Sequence, residues 1–439
     1  MSGNTTTQQA PDSYQAVDPK REEELLEYSQ TMQTPDAAVA YPEGGVKAWL
    51  VVLGAWCGLI SSMGWFNSLS VLEAWITENQ LHGVPKSTTG WIFSMFSFFV
   101  YFCGVQVGPV FDACDIRLLI IPGSIGMVVS IICLSISTEF YQFLLSFGVL
   151  GGISASLVFY SSVSAVSHWF ARRRSLATGI ALSAGGLGGV CYPLIILFLG
   201  PSIGFAWAIR IIGLFNAFTG SLACLLLRKR LPPNKAKGSV IDLKGLKEVK
   251  YAVVTVATFV LEVALIVPYT YISSYAIAQG MEPRSAYLLN TMFSAAAIPG
   301  RILPNYFADR YGVFNVMILT TVACSIFIFG LWLPASNIGE PAITAFVVLF
   351  GFWSGSSISL APVCIGEVCE TEDYGKRTGT TFCIASLGSL IGPPVAGAIL
   401  ERAGGDFLGV IVLAGVMYTI AIVAYIWAKQ LIKREKQKI

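Results

Sequence analysis

From Lys47 to Gln430 the chain is a succession of twelve long apolar runs, and their length constrains everything else about it. A helix rises about 1.5 Å per residue, so roughly 20 apolar residues cross the hydrocarbon of a bilayer. The runs centre near Leu59, Phe98, Val128, Gly151, Gly186, Gly213, Leu265, Phe293, Ala323, Phe352, Ser389 and Tyr418. Backbone N–H and C=O groups find no water in lipid, so spanning segments are helices or the strands of a closed barrel. Strands would be about half as long and would alternate, which these runs do not. The expected class is an all-α integral membrane protein of twelve transmembrane helices. With 54% hydrophobic and only 12% charged residues, little sequence is left for a soluble domain.

The basic residues orient the spans. With both ends on one side, the loops of that side hold Arg117, the triplet Arg172 to Arg174, the stretch from Arg228 to Lys250, Arg310, and Lys376 with Arg377. The other side keeps Lys86, Arg210, Arg284 and Arg402, four of 28 basic residues. Cytoplasmic loops carry the excess of Lys and Arg, so both termini are expected in the cytosol, with the cell membrane as the expected location. The 23 residues from Arg228 to Lys250 are the longest polar interruption and divide the spans six and six. The expected organisation is a disordered cytosolic tail (1–46), a six-helix bundle (47–227), a cytosolic linker (228–250), a second bundle (251–430) and a short cytosolic tail (431–439).

The halves share a motif. Gly108-Pro-Val-Phe-Asp112-Ala-Cys-Asp-Ile-Arg117 follows the second run, and Asn305-Tyr-Phe-Ala-Asp309-Arg310-Tyr-Gly312 follows the eighth. Paired six-helix repeats around a midplane site are a transporter architecture. The motif resembles the signature loop of the major facilitator superfamily, G-x-L-A-D-R-x-G-R-K. The resemblance implies two pseudo-symmetric bundles, alternating access, and a cytoplasmic latch formed by Asp112, Arg117, Asp309 and Arg310. Three further segments resemble the monocarboxylate porter branch, particularly its fungal members. They are Pro42-Glu43-Gly44-Gly45-Val-Lys-Ala-Trp49, the stretch from His168 to Gly189 with its three arginines and five late glycines, and Tyr374 to Gly397 with Pro393-Pro394.

Charges at bilayer depth cost about 2.5–3.5 kcal/mol or more and therefore point to function. Glu262 lies in the middle of the seventh run. A carboxyl there is most easily held neutral, which makes it a candidate proton-coupling group, with a purely structural pairing as the alternative. Arg301 lies in the eighth run after Pro299-Gly300. The resemblance aligns it with the arginine that binds substrate carboxylate, and a guanidinium offers a two-pronged grip on such a group. Its other reading is a gate charge that snorkels to the cytosol. The porters' acid one turn before this arginine is Ala297 here, and their first-helix lysine is Asn67. Only the arginine carries over, and Glu262 could supply the acid. Asn67, Tyr160, Tyr269, Asn290 and Trp353 complete the candidate substrate-binding set; each could equally be a helix-packing group.

No nucleophile motif, P-loop or nucleotide fingerprint stands in the chain, so neither an enzyme nor a bound cofactor or metal is expected. His82 and His168 lie far apart. The ten cysteines read as small fillers of helix packing. Nothing resembles a nucleic-acid-binding patch. The expected partners are the bilayer, a small organic anion or carboxylated metabolite, and protons. The expected function is secondary active transport by alternating access, either export of a secondary metabolite or proton-coupled uptake of a monocarboxylate or vitamin. A nutrient sensor built on the same fold is the alternative from another class.

Overall fold

A computed structural model describes residues 42–230, 245–370 and 373–436. The tail up to residue 41, the middle of the linker (231–244) and residues 437–439 lie outside the described residues. Twelve long helices are present: α1 (Val46–Phe66), α2 (Thr88–Ala113), α3 (Arg117–Ile136), α4 (Phe140–Ser167), α5 (Arg174–Ile203), α6 (Phe205–Leu226), α7 (Val249–Ala278), α8 (Pro283–Tyr311), α9 (Val313–Trp332), α10 (Glu340–Gly366), α11 (Tyr374–Arg402) and α12 (Leu408–Arg434, helical on to Lys436). No strand occurs among the described residues.

Eleven of these helices are long and apolar enough to cross a membrane. The exception is α8, which is long enough, at 29 residues, but carries Asn290, Arg301, Asn305, Asp309 and Arg310. Such a helix is stable only if its polar face meets protein, and here it does: Asn290, Arg301 and Asn305 are all buried. The helix that departs most from a lipid-soluble rod is thus the one that builds the interior.

The packing repeats. In the first half α1 lies against α4, α5 and α6, and α3 against α4 and α6. In the second half α7 lies against α11 and α12, and α9 against α10 and α12. The most extensive contacts between the halves are α5 with α8 and α2 with α11. Because α8 is the counterpart of α2, and α11 of α5, these are one interface used twice.

Glycine makes that interface possible. A methyl group on Gly179 of α5 would collide with the Arg301 carbonyl of α8. One on Gly108 would strike the Gly375 carbonyl, and one on Gly379 the Gly104 carbonyl. The helices therefore touch backbone to backbone, the approach that small residues allow in membranes.

At Cys103 of α2 the backbone stays helical, with φ −66° and ψ −15°. α1 is interrupted: the chain leaves it after Phe66 and resumes helix at Leu69–Trp75. Such breaks free backbone polar groups, which in lipid must be taken up by protein. The Asn67 carbonyl, at the break, accepts the hydroxyl of Tyr269 from α7.

Gly179→Val is expected to wedge α5 from α8. Overpacking of this kind costs about 1–3 kcal/mol. The melting temperature of the detergent-solubilised protein should fall by several degrees, and an unchanged value would refute backbone contact at this position.

Candidate functional site

The interior of the joined halves holds a buried polar cluster drawn from five helices. Arg301 of α8 is 2% exposed. Its Nη1 donates to the Leu182 carbonyl of α5 at 2.6 Å, and its Nε has no hydrogen-bond partner. Among the described residues no carboxylate pairs with it. A methyl on Gly185 of α5 would lie 2.7 Å from Arg301 Nη1 and 3.3 Å from Asn67 Nδ2, so glycine at 185 leaves the guanidinium and the α1 break room to meet.

Glu262 of α7 is 7% exposed. Its Oε1 accepts the hydroxyl of Ser389 from α11 at 3.0 Å. Tyr101 of α2 lies within electrostatic reach of it. Tyr101 in turn lies within electrostatic reach of both Arg301 and Tyr269. The cluster thus contains one acid and one guanidinium that are close but not paired. Unpaired buried charges are expensive, and so they mark places where a proton or a ligand ion completes the arrangement.

The sequence candidates distribute as follows. Glu262, Arg301, Asn67 and Tyr269 belong to the cluster. Tyr160 lies one step behind it: its hydroxyl donates to the Tyr101 carbonyl at 3.2 Å and its ring fills the space over Gly104. Asn290 sits apart, some 11 residues along α8, or about 16 Å. Its amide donates to Ser70 Oγ and Ser273 Oγ, bridging the halves towards the end away from the basic loops. Trp353 packs edge-on against Phe352 of α10. Tyr101 and Ser389 were missed by residue-type reasoning, although spacing could have found both. Tyr101, Gly104 and Gly108 share one face of α2, and Gly375, Gly379, Phe382, Ser386 and Ser389 share one face of α11. Those glycine-marked faces are the ones that meet.

A second site lies at the end where the basic loops gather. Asp112 Oδ2, at the end of α2, accepts the Lys376 N–H of α11 at 2.9 Å. Asp309, at the end of α8, accepts the N–H groups of Ser175 and Leu176 at the start of α5, at 2.9 and 3.0 Å. Each carboxylate caps the N-terminus of a helix in the other half, where orphan N–H groups and the helix dipole favour negative charge. Of the four residues expected in the latch, the two acids make these contacts and the two arginines have other partners. The Arg117 N–H bonds Asp115, and the Arg310 guanidinium lies over the Tyr306 ring, 4.4 Å from its centroid. A flexible arginine costs entropy to hold in place, whereas a helix start presents its donors already fixed.

The residues around this latch brace it. Glu43, just before α1, accepts the N–H groups of Ala171, Arg172 and Arg173 at 2.7 to 3.2 Å, which fixes the loop leading into α5. Lys229 Nζ donates to the Phe111 and Asp112 carbonyls, both at 2.6 Å. Glu248 and Arg377 form a two-pronged ion pair at 2.6 and 3.0 Å. His168 is buried edge-on to Phe111. Burial first, then the cations Lys229, Arg174 and Arg230, push its pKa down to about 3, so it is neutral at physiological pH. Among the described residues no cluster of His, Cys, Asp and Glu could hold a metal ion.

Two pseudo-symmetric helical bundles, joined by twin helix-end clamps around an enclosed acid and guanidinium, define a membrane transporter of the alternating-access kind. The Major Facilitator Superfamily model matches residues 54–368 and 256–438. The chain belongs to this family and is a multi-pass membrane protein. It is 33% identical to the riboflavin transporter MCH5 of Saccharomyces cerevisiae, over 88% of this chain and 79% of that one. It is 32% identical to the aspyridones efflux protein apdF of Emericella nidulans, over 88% of this chain and 78% of that one. Among solved structures, the human organic anion transporter MFSD10 superposes with a TM-score of 0.70 at 16% identity, covering 87% of this chain and 100% of that one; this likeness concerns the fold alone.

Asp112→Asn is expected to loosen the α2–α11 clamp. A charge-assisted bond to a helix start is worth about 1.5–3 kcal/mol. Labelling of Cys383 by a thiol reagent applied from the basic side should rise about tenfold or more, and unchanged labelling would remove the clamp role.

Proposed function

We propose that this protein moves an organic anion or small carboxylated metabolite across the membrane by alternating access, with Arg301 as the anion anchor. One observation carries this reading: a buried guanidinium with an unpartnered Nε and, among the described residues, no acid paired to it. A carboxylate entering the centre would supply the missing charge and acceptors. Asn67 and Tyr269, beside the guanidinium, would orient the ligand. Glu262 is the proposed proton-coupling residue, since it faces hydroxyls instead of a cation and can be held in either protonation state. The reading places the chain in the monocarboxylate porter branch, in the plasma membrane. The basic end and both termini face the cytosol, as the distribution of Lys and Arg favours.

Export of a secondary metabolite is the preferred direction. The aspyridones efflux relative supports it, as does the absence of the porters' first-helix lysine and eighth-helix acid, which favours a larger and less acidic cargo. The riboflavin transporter relative supports a second reading, uptake of a nutrient acid or vitamin.

The test is transport of a panel of radiolabelled aliphatic and aromatic carboxylates into vesicles of both orientations. Arg301→Lys keeps the charge but loses the planar fork, and kcat/KM for whichever carboxylate is moved should fall at least tenfold. Full activity of that variant towards carboxylates would sink the anion reading. Glu262→Gln should flatten the pH dependence of transport, and an unaltered pH profile would remove its coupling role. Cargo accumulating in cytosolic-side-out vesicles under an imposed proton gradient identifies export; accumulation in the opposite orientation identifies uptake.

A further inference from the structure

We infer that Glu248, where the linker enters α7, is a positioning residue of the α2–α11 clamp: through Arg377 it sets the helix start on which Asp112 closes. The inference concerns the clamps and is independent of the cargo. This clamp is demanding of position. Asp112 Oδ2 accepts the Lys376 N–H at 2.9 Å, while a methyl on Gly375 would lie 2.6 Å from Asp112 Oδ1 and 2.9 Å from the Gly108 carbonyl oxygen. The first turn of α11 must therefore fit the aspartate and the α2 backbone at once. A helix start free to drift would lose both contacts.

Its own half holds that start in place. Arg377, in the first turn of α11, makes the two-pronged pair with Glu248 at 2.6 and 3.0 Å. Its carbonyl accepts the Tyr251 hydroxyl of α7 at 2.9 Å, and its guanidinium lies over the Tyr251 ring, 5.1 Å from the centroid. Its Nη1 also reaches the Val368 carbonyl at 3.3 Å, which ties in the stretch leading to α11. The ladder continues inward. Thr381 Oγ1 donates to the Tyr251 hydroxyl, and the hydroxyls of Thr255 and Thr381 meet, both at 3.1 Å. Residues 248, 251 and 255 share one face of α7, and 377 and 381 one face of α11. The two helices are thus pinned together, and Glu248 is the rung nearest the linker. An exposed ion pair contributes little by itself. Here the Arg377 side chain is only 11% exposed, against 43% for Glu248. The fork is already aligned by a ring and a carbonyl, so little freedom remains to be lost when the acid binds it.

The device occurs twice. Glu43, three residues before α1, accepts the N–H of Arg172, 129 positions further on; Glu248 grips Arg377, also 129 positions further on. The two pairs are offset by 205 positions (248 minus 43, and 377 minus 172). In each half an acid that precedes the first helix holds the start of the fifth. In each half that same start receives the aspartate of the other half, Asp309 at Ser175 and Leu176, Asp112 at Lys376. The receiving groups differ, main-chain N–H in the first half and a guanidinium in the second. Each clamp therefore has an acid of its own, and a pull on the linker reaches the α2–α11 clamp without reaching α5–α8.

Hydrogen exchange of the full-length protein, followed on peptides spanning 374–379 and 174–179, reads the two helix starts separately and needs no substrate. Glu248→Gln keeps the size of the side chain and removes its charge. It should speed exchange at the start of α11 about fivefold, the upper range for an ion pair of this kind, and at the start of α5 by less than about twofold. Glu248→Asp, which keeps the charge on a shorter arm, should fall between wild type and Glu248→Gln. Glu43→Gln should show the opposite preference, for the start of α5. In an Asp112→Asn background, adding Glu248→Gln should change exchange at α11 by less than about twofold, because both substitutions act on one contact. Equal acceleration at both helix starts would mark general loosening and overturn the inference. So would full additivity with Asp112→Asn, or an unchanged rate at the start of α11.

Discussion

The close approach of helices across the two halves is the constraint on which the rest depends. At Gly108, Gly375 and Gly379 in one contact, and at Gly179 and Gly186 in the other, a Cβ would run into main-chain atoms of the facing helix. Lipid offers no hydrophobic gain for such contacts, because a helix against a helix is no drier than a helix against acyl chains. They persist through dense packing and through polar bonds made where the backbones come near. An interface of that sort is strong when in register and weak once displaced, which suits two bundles that have to part and rejoin.

Electrostatics is layered on this contact at two depths. At the basic end, Asp112 and Asp309 reach across to helix starts and accept their N–H groups. At mid-depth, the acid Glu262 and the guanidinium of Arg301 occupy a single cluster without satisfying one another. The first layer joins the halves through these bonds. The second leaves the Arg301 Nε without a hydrogen-bond partner.

Interruptions in the helices follow from the same logic. A span broken in lipid leaves backbone groups that must be taken up by protein, so breaks are confined to the interior. Asn67 illustrates the use of such a break: its side chain lies by Arg301, and its carbonyl holds Tyr269 of the opposite half. α8 illustrates the cost, for among the described long helices it is the one whose polar residues leave it least suited to lipid.

The length of the apolar runs determined the helical class, and the spacing of Asp112 and Asp309, 197 positions apart (309 minus 112), revealed the repeat. Both are legible because the bilayer imposes a one-dimensional rule on the chain and because a repeated half leaves a repeated motif. Glu262 and Arg301 were likewise visible as charges where lipid should be. Their neighbours were not. Ser389 and Tyr101 are ordinary residues in their own helices, and Asn290 and Trp353 looked as suitable as Asn67. The partners of Asp112 and Asp309 were unreadable too, because they are backbone N–H groups that carry no residue identity. Which faces meet is decided by the crossing of α2 with α11 and α5 with α8. A crossing is a property of two helices in space, and no pattern along either one contains it.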